Sequence, residues 1–459
     1  SWSWVMIKSL SSSFAVWVAS GLCVVFSTVL VAEVSGQTVR YVSDPGLGNV
    51  TFTKDVMPIL QENCQGCHRE GSIAPIHMET YEQARRYSRR IRDKVVTREM
   101  PPFHLDTDVG IQDIKGDWRL SEEEIKTIAA WVDNGSPRGD VGDMPPPVEW
   151  SDELIWQLED RLGPPDHIIR SKPFDVPAEG GDLWWRPIVE TGLDRDRLVK
   201  AFETRPSKKG REVVHHAIPR LQVLQENGDY GRVASLSEYA MGKIGEILPA
   251  DAARLLPKNS RIEWDAHYYP MGYDVEDDQV ELGIWFHPEG FEPEFVQDLR
   301  LYPLQGDIAL APGGTAMTQG FFRWDHPVRL DSFQPHGHVQ LHAKSMEVIY
   351  PDGKRELLSM VTNFNAKWHH SYIYEDDVAP LLPEGSVLVV TAWYDNTADN
   401  PLNPDPEVWK ARGSRTLDEM SHAWIAVTHL NQDGFERLVE EREAKKEAVT
   451  AAQESGSRR

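Results

Sequence analysis

Residues 261–269 read RIEWDAHYY, and residues 279–286 read QVELGIWF. In the first stretch Ile262, Trp264, Ala266 and Tyr268 alternate with Glu263, Asp265 and His267. Alternation of period two marks a strand with one face on a core. The pattern recurs in SMEVIYPDGKRELLSM (345–360), with a turn at Asp352–Gly353, and in SVLVVTAWYDN (386–396). Pro, Gly, Asp and Asn separate these segments. They predict an all-β body, sandwich or barrel, from about residue 165 onward. The span 165–432 is long enough for two units, and LAPGGTAM (310–317) marks the expected junction.

The chain has 459 residues, too many for one compact core. Hydrophobic residues make up 40% and tryptophans number 16, so large cores are available. The net charge of −24 argues against nucleic acid as a partner and is accounted for by a solvated acidic surface. Residues 9–32, SLSSSFAVWVASGLCVVFSTVLVA, carry no charge and follow Lys8. Residues 1–37 are therefore expected to be a secretory signal peptide or an N-terminal membrane anchor. Either way the body is expected to be exported, in the periplasm. Beyond Cys23 in that segment, only Cys64 and Cys67 remain, which gives no disulfide framework.

Residues 64–68 read CQGCH, the attachment signal of one covalently bound haem c. Cys64 and Cys67 bond the porphyrin vinyl groups, and His68 reaches the iron. A redox dithiol would favour a βαβ setting, which the flanking sequence lacks, and a zinc site would need a further Cys or His pair. TREMPPFH (97–104) offers Met100 as the sixth iron ligand, with Met78 and His104 as alternatives. LSEEEIKTIAAWVDNG (120–135) reads as a helix opened by a Ser121–Glu124 capping box, with Ile125, Ile128, Trp131 and Val132 on one face. Residues 48–142 are thus expected to form a small all-α cytochrome c domain. The proline-rich run at 143–150 opens a linker to residue 164.

Histidines cluster in the β half. VVHHAI (213–218) holds His215 and His216, and His267 lies in the stretch quoted first. QPHGHVQLHAK (334–344) holds His336, His338 and His342, KWHHSY holds His369 and His370, and DEMSHAW holds Met420 and His422. His336 and His338, two apart on a strand, face the same way and suit one metal. Imidazole with a thioether is a copper-type ligand set.

These motifs resemble the copper type II, ascorbate-dependent monooxygenases, peptidylglycine α-hydroxylating and dopamine β-monooxygenase, and most closely bacterial relatives with an N-terminal cytochrome c domain. The resemblance runs in order through ILQENCQGCHREGSIAPI, REMPPF, VVHHAI, AHYYPMG, SFQPHGH, WYDNTADNPLNPDP and RTLDEM, across nearly all of the exported chain. It implies two jelly-roll-like β-sandwich subdomains, 165–309 and 310–432, each holding one of two coppers across a solvent-filled cleft. His215, His216 and His267 would hold the electron-storing copper, with the strand bulged so that both adjacent imidazoles bind. His336, His338 and Met420 would hold the oxygen-binding copper and carry the catalysis. The implied activity is hydroxylation of a C–H bond of a small-molecule or peptide substrate with O2. Electrons would come from a periplasmic donor through the haem.

The second copper motif departs from the family: two extra residues precede Ala343–Lys344, which brings Gln340 and His342 into question, and His369 stands where Gln is expected. That altered spacing favours the alternative of a non-catalytic haem/copper electron-transfer or copper-binding protein. A binding module using Trp184, Trp185 and Trp324 as surface platforms is a further alternative. Residues 433–459 read as a charged tail.

Overall fold

The computed structural model describes residues 48–456, apart from 71, 73, 151–155, 241–242, 244 and 303–307. The expected signal or anchor segment, 1–37, lies outside the described residues. No described helix is long and apolar enough to cross a membrane.

Helices Met57–Asn63, Tyr81–Arg86, Ser88–Val96 and Glu122–Asp133 occupy the first part of the chain. The last of them opens on the capping box: Ser121 Oγ accepts from the Glu124 amide at 3.2 Å, and Glu124 Oε2 accepts from the Ser121 amide at 2.7 Å. Its apolar face puts Ile125, Ile128 and Trp131 into a core with Phe52, Leu60 and Ile91.

The rest of the chain is mostly β-sheet with sandwich character. In the first sandwich, strands His167–Arg170, Val280–Phe286, Arg197–Pro206 and Ala252–Leu256 form one layer. The facing layer contains Leu183–Trp185, Arg261–Tyr268, Val214–Leu224 and Tyr230–Ser235. Ile262, Trp264, Ala266 and Tyr268 point into the core between the layers, as their alternation predicts. Glu263, Asp265 and His267 lie on the opposite face. Arg232 pairs with Glu263 there, and Arg186 and Arg220 pair with Asp265.

The second sandwich packs a layer with Phe295–Tyr302, Ala423–His429 and Val328–Leu330 against the sheet Thr315–Arg323, Val387–Asp395, Leu341–Ile349 and Arg355–Val361. The two sandwiches share a continuous sheet, because Ala252–Leu256 pairs in parallel with Phe295–Tyr302 at Ala252↔Phe295 and Ala253↔Val296. Phe295–Tyr302, which precedes the expected 309/310 boundary, pairs with Ala423–His429 along its length and so belongs to the second sandwich's sheet. Ile218, on the outer face of the first sandwich, meets Leu299, Trp424 and Ala426 of the second.

Two connections pack more tightly than the sequence suggests. After Met100 the chain leaves the helices and enters the second sandwich, where Phe103, Leu105 and Ile114 join its core. An isolated antiparallel bridge joins Ile114 to Tyr374, and the Asp106 and Ile111 amides donate to Met360 O and Leu358 O, both at 2.9 Å. Of the expected linker, the proline run is largely exposed, but Trp156 and Leu158 are buried against Trp285 and Ala201. The charged tail begins as the helix Gln432–Gly456, with Phe435 and Leu438 packed beside Phe295 and Leu430.

Candidate metal centre

His216 and His267 are direct cross-strand partners, so their side chains share the outer face of the first sandwich. His215 would ordinarily point into the core. The register shifts here, with Tyr268 opposite Val214 and His267 opposite His216, so His215 is an unpaired extra residue. A bulge of this kind re-aims a side chain. The result is three imidazoles whose nearest nitrogens all lie within 4.8 Å of one another.

Several features fit this group to a metal ion. His215 Nδ1 and His216 Nδ1 face each other at 3.2 Å. Two donors bonded to one ion at about 2.0–2.1 Å stand roughly 2.9–3.4 Å apart. Ring centroids in the trio are 5.0, 5.1 and 5.5 Å apart. Both ring nitrogens of His267 are buried without a hydrogen bond, Nε2 having Asp182 Oδ2 at 3.5 Å. Buried polar atoms are rarely left unpaired, so an orphaned imidazole at a trio of donors is what a bound cation would resolve. Burial, with His369 and His267 adding to it, lowers the His215 ring to about 4, and burial holds His216 well below the usual histidine range. Neutral imidazole is the form that binds metal.

Sequence reasoning missed the supports of this trio. Trp184, on the neighbouring strand opposite His267, stacks on its ring at 4.3 Å and 3° from parallel. Trp324 is 2% exposed and lies in the second sandwich's core, so it is no surface platform, while Trp184 is half-buried with one face on His267.

In the second group His336 and His338 have ring centroids 5.7 Å apart. His338 Nδ1 lies 2.9 Å from Asp418 O, which leaves Nε2 as the free donor. His422 stacks on His336 at 4.6 Å. Met420 is placed by its backbone: its amide and that of His338 both donate to Glu419 Oε2, at 3.1 and 3.0 Å. Glu419 Oε1 takes the Gln340 amide at 2.8 Å. This buried carboxylate, raised to about 7 by burial, clamps the whole 336–340 turn. Lys344, fully buried, donates to the carbonyls of His336 and His422. Gln340 gives its side-chain amide to Asn403, and His342 is exposed, so both extra candidates are directed elsewhere.

The resemblance implies a solvent-filled cleft between the groups. The structure instead has His369 in that interval, with ring centroids 5.4 Å from His336, 6.1 Å from His215 and 6.2 Å from His216. The next residue, His370, packs 5.3 Å from Trp118 and 6.4 Å from His104. His104, an alternative iron ligand by sequence, thus turns toward the second sandwich.

At the CQGCH motif, His68 Nδ1 lies 2.7 Å from Ile76 O. A carbonyl only accepts, so Nδ1 carries the hydrogen and Nε2 keeps its lone pair, the arrangement of a metal-ligating histidine. Cys64 packs against the helical core, and burial pushes its thiol up to about 12, with Cys67 and Glu124 adding to the effect. So high a value is wrong for a reactive dithiol. Met100 lines a cavity of about 400 Å³ together with Val95, Leu120 and Ile125, which include residues of that same core. Met78 is buried within the core itself. The two thiols and His68 are a donor set that fits a covalent haem; the cavity lined by Met100 is shared with His104, Thr362 and Asn363 and includes neither cysteine nor His68.

No family model and no curated protein matches the chain. Among solved structures it is similar to the major capsid protein P2 of bacteriophage PM2, at 8% identity over 50% of this chain and 97% of that one, with a TM-score of 0.22. It is also similar to the VP2 subviral particle of infectious bursal disease virus (8%, 58% and 72%, TM-score 0.18) and to the PBSX exported protein XepA (9%, 56% and 92%, TM-score 0.16). Superpositions of this extent assign neither fold nor function.

Proposed function

We propose that the chain is an exported monooxygenase that carries one covalent haem and two coppers and hydroxylates a C–H bond of a small-molecule or peptide substrate. A small helical haem domain precedes two jelly-roll-like copper sandwiches. The observation that carries this reading is the convergence of His215, His216 and His267, with His336 and His338 beyond His369. Copper, when bound, supplies dioxygen activation and one-electron redox steps, and haem supplies an electron store.

The protein's own residues do the rest. His215, His216 and His267 hold the first ion, and Trp184 fixes the plane of His267. His336, His338 and Met420 hold the second, on a turn clamped by Glu419 and Lys344. His68, with Nδ1 committed to Ile76 O, would offer Nε2 to the haem iron, and Met100 would be the second protein ligand. The segment after Met100 brings Phe103, His104 and Trp118 against His370, beside His369, which supports electron delivery from the helical domain to the histidines.

Metal analysis of the full chain, with and without His338→Ala, tests the reading. One haem and two coppers are expected, falling to one copper in the variant. Zinc in place of copper, or two coppers retained in His338→Ala, would overturn it. A second reading, a non-catalytic haem/copper electron-transfer or copper-binding protein, is favoured by one observation: His422 and His369 crowd His336. Oxygen uptake coupled to a hydroxylated product separates the two.

A further inference from the structure

We propose that Arg85, Arg86, Arg89 and Arg90 form the surface on which the helical domain docks an acidic electron-donor protein. The inference deepens the haem reading above and rests on it. Residues 85–98 carry seven Lys or Arg and one Asp, so this stretch is +6 in a chain of −24. Within it Arg92 pairs with Asp133, Lys94 with Glu99 and Arg98 with Glu122. Arg85, Arg86, Arg89 and Arg90 are exposed and have no ion pair among the described residues. Carboxylates are not scarce, with 72 acidic residues to 48 basic ones. Exposed arginines elsewhere find them: Arg186 pairs with Asp265, Arg232 with Glu263 and Arg355 with Glu347.

Two of the four guanidinium groups lie over tyrosines. Arg85 Cζ is 5.9 Å from the centre of the Tyr81 ring and Arg86 Cζ is 5.7 Å from that of Tyr87. Arg138 also reaches Tyr81, at 5.6 Å. Arg85, Arg86 and Arg89 line a groove of about 570 Å³ with Val132, Gly135 and Ser136, at the C-terminal end of the helix Glu122–Asp133. Three acids, Glu122, Glu123 and Glu124, occupy the first turn of that helix, roughly 18 Å away at about 1.5 Å per residue. The domain is therefore electrically polarised, which orients an approaching charged partner. Tyr81 and Tyr87 pack on the same core as Cys64 of the haem motif. The helix Ser88–Val96 leads on to Met100, whose amide donates to Lys94 O at 3.1 Å.

The chemistry of the patch selects the partner. Arginine beside tyrosine is the composition of protein-binding hot spots, and a free guanidinium fork matches a carboxylate with two hydrogen bonds. A membrane-surface site would add apolar side chains for insertion. Among the described residues, no large apolar side chain is exposed between positions 81 and 138. The partner is thus a protein with an acidic face, and its place on a haem domain makes it an electron donor. One electron passes, so the donor is oxidised and ferric haem becomes ferrous, with no atom exchanged.

The test uses the full chain with its haem, and flavodoxin, a small acidic electron carrier, as the probe. Calorimetry should show oxidised flavodoxin binding at about 0.01 M salt, where the Debye length is roughly 30 Å, and no binding at about 1 M, where it is roughly 3 Å. Stopped-flow reduction of the haem by flavodoxin hydroquinone should slow by about tenfold or more over the same range. Arg85→Glu combined with Arg89→Glu should lower the low-salt rate by about tenfold or more and flatten its salt dependence. A milder variant, with Arg85→Gln, Arg86→Gln, Arg89→Gln and Arg90→Gln, is run beside it, with circular dichroism as the fold check. Photoreduced lumiflavin, small and uncharged, should reduce the haem equally fast in every variant. Flavodoxin that fails to bind at low salt, or rates unchanged by salt and by the folded variants, would overturn the docking site. Continued reduction by lumiflavin would then leave the haem reading standing. Arginine-dependent binding to phosphatidylglycerol vesicles, or salt-sensitive dimers of the chain alone, without flavodoxin binding, would give the patch to a membrane or a second copy and overturn it too. A full chain that carries no haem would overturn both.

Discussion

Trp184 and His267 stand face to face across adjacent strands, their ring centroids 4.3 Å apart and their planes 3° from parallel. Stacking on a large, packed indole removes the freedom of the imidazole to swing about its terminal torsion. Replacing Trp184 with Ala should weaken the first copper by about 10- to 100-fold and leave the second unchanged, because supporting contacts of a ligand carry that much affinity. Competition with a graded series of copper chelators measures both sites. Equal weakening of the two would contradict the assignment.

Glu419 predicts the reverse selectivity. It accepts the amides of His338, Gln340 and Met420, so Glu419→Ala orphans three donors of the turn that presents the second group. The second copper should bind about 10- to 100-fold more weakly, while the first keeps its affinity. Thermal melting should also show a loss of about 1–3 kcal/mol or more from the orphaned amides.

At the haem motif, Cys67→Ser should leave one thioether bond, through Cys64, and one free vinyl group. The pyridine haemochrome band should move to longer wavelength, and Cys64→Ser with Cys67→Ser should abolish covalent haem in the intact mass. Retention of a full c-type spectrum in the single variant would exclude the attachment chemistry.

Glu203 gives a pH signature away from the metals. Its two oxygens accept the Gln157 and Leu158 amides at 3.0 and 3.1 Å and so fasten the end of the linker to the first sandwich. Burial raises its pKa above the ordinary value of 4.5, despite those two donors. The folded state then holds more protons than the unfolded one just above pH 4.5, so this carboxylate's contribution to stability falls as pH rises through that window. The stability gap between the unmodified chain and Glu203→Gln, followed by denaturant titration, should narrow from pH 4.5 upward. Glu203→Ala should lose about 1–3 kcal/mol at all pH values for the two orphaned amides.

Much of this was legible in the sequence because its signals are local. Period-two alternation places Trp264 inward and His267 outward, and the Ser121–Glu124 box marks its helix start. The His215/His216/His267 trio was foreshadowed by the resemblance, which implies that both adjacent imidazoles bind one ion and so that the strand is bulged there. What stayed hidden depends on long-range packing. Glu238 and Glu419 look like ordinary acidic residues until folding buries them against loops from distant parts of the chain. His369 reads as a departure from a pattern, and nothing local reveals that it stands between His215 and His216 on one side and His336 on the other. The sheet shared through Ala252↔Phe295 is likewise invisible to periodicity, which reports a strand's faces and not its neighbours.

The stitching of residues 103–118 into the second sandwich has a mechanical consequence. A haem carried on a swinging arm would have to search for its acceptor at each turnover, and its delivery rate would vary with solvent viscosity. Here the Lys115 amide donates to Ile373 O and the Glu375 amide donates to Asp113 O, and Phe103 and Leu105 are buried in the second sandwich's interior. On the proposed haem and copper reading the two centres are therefore held in place, and internal electron transfer should be indifferent to glycerol or sucrose added to the buffer.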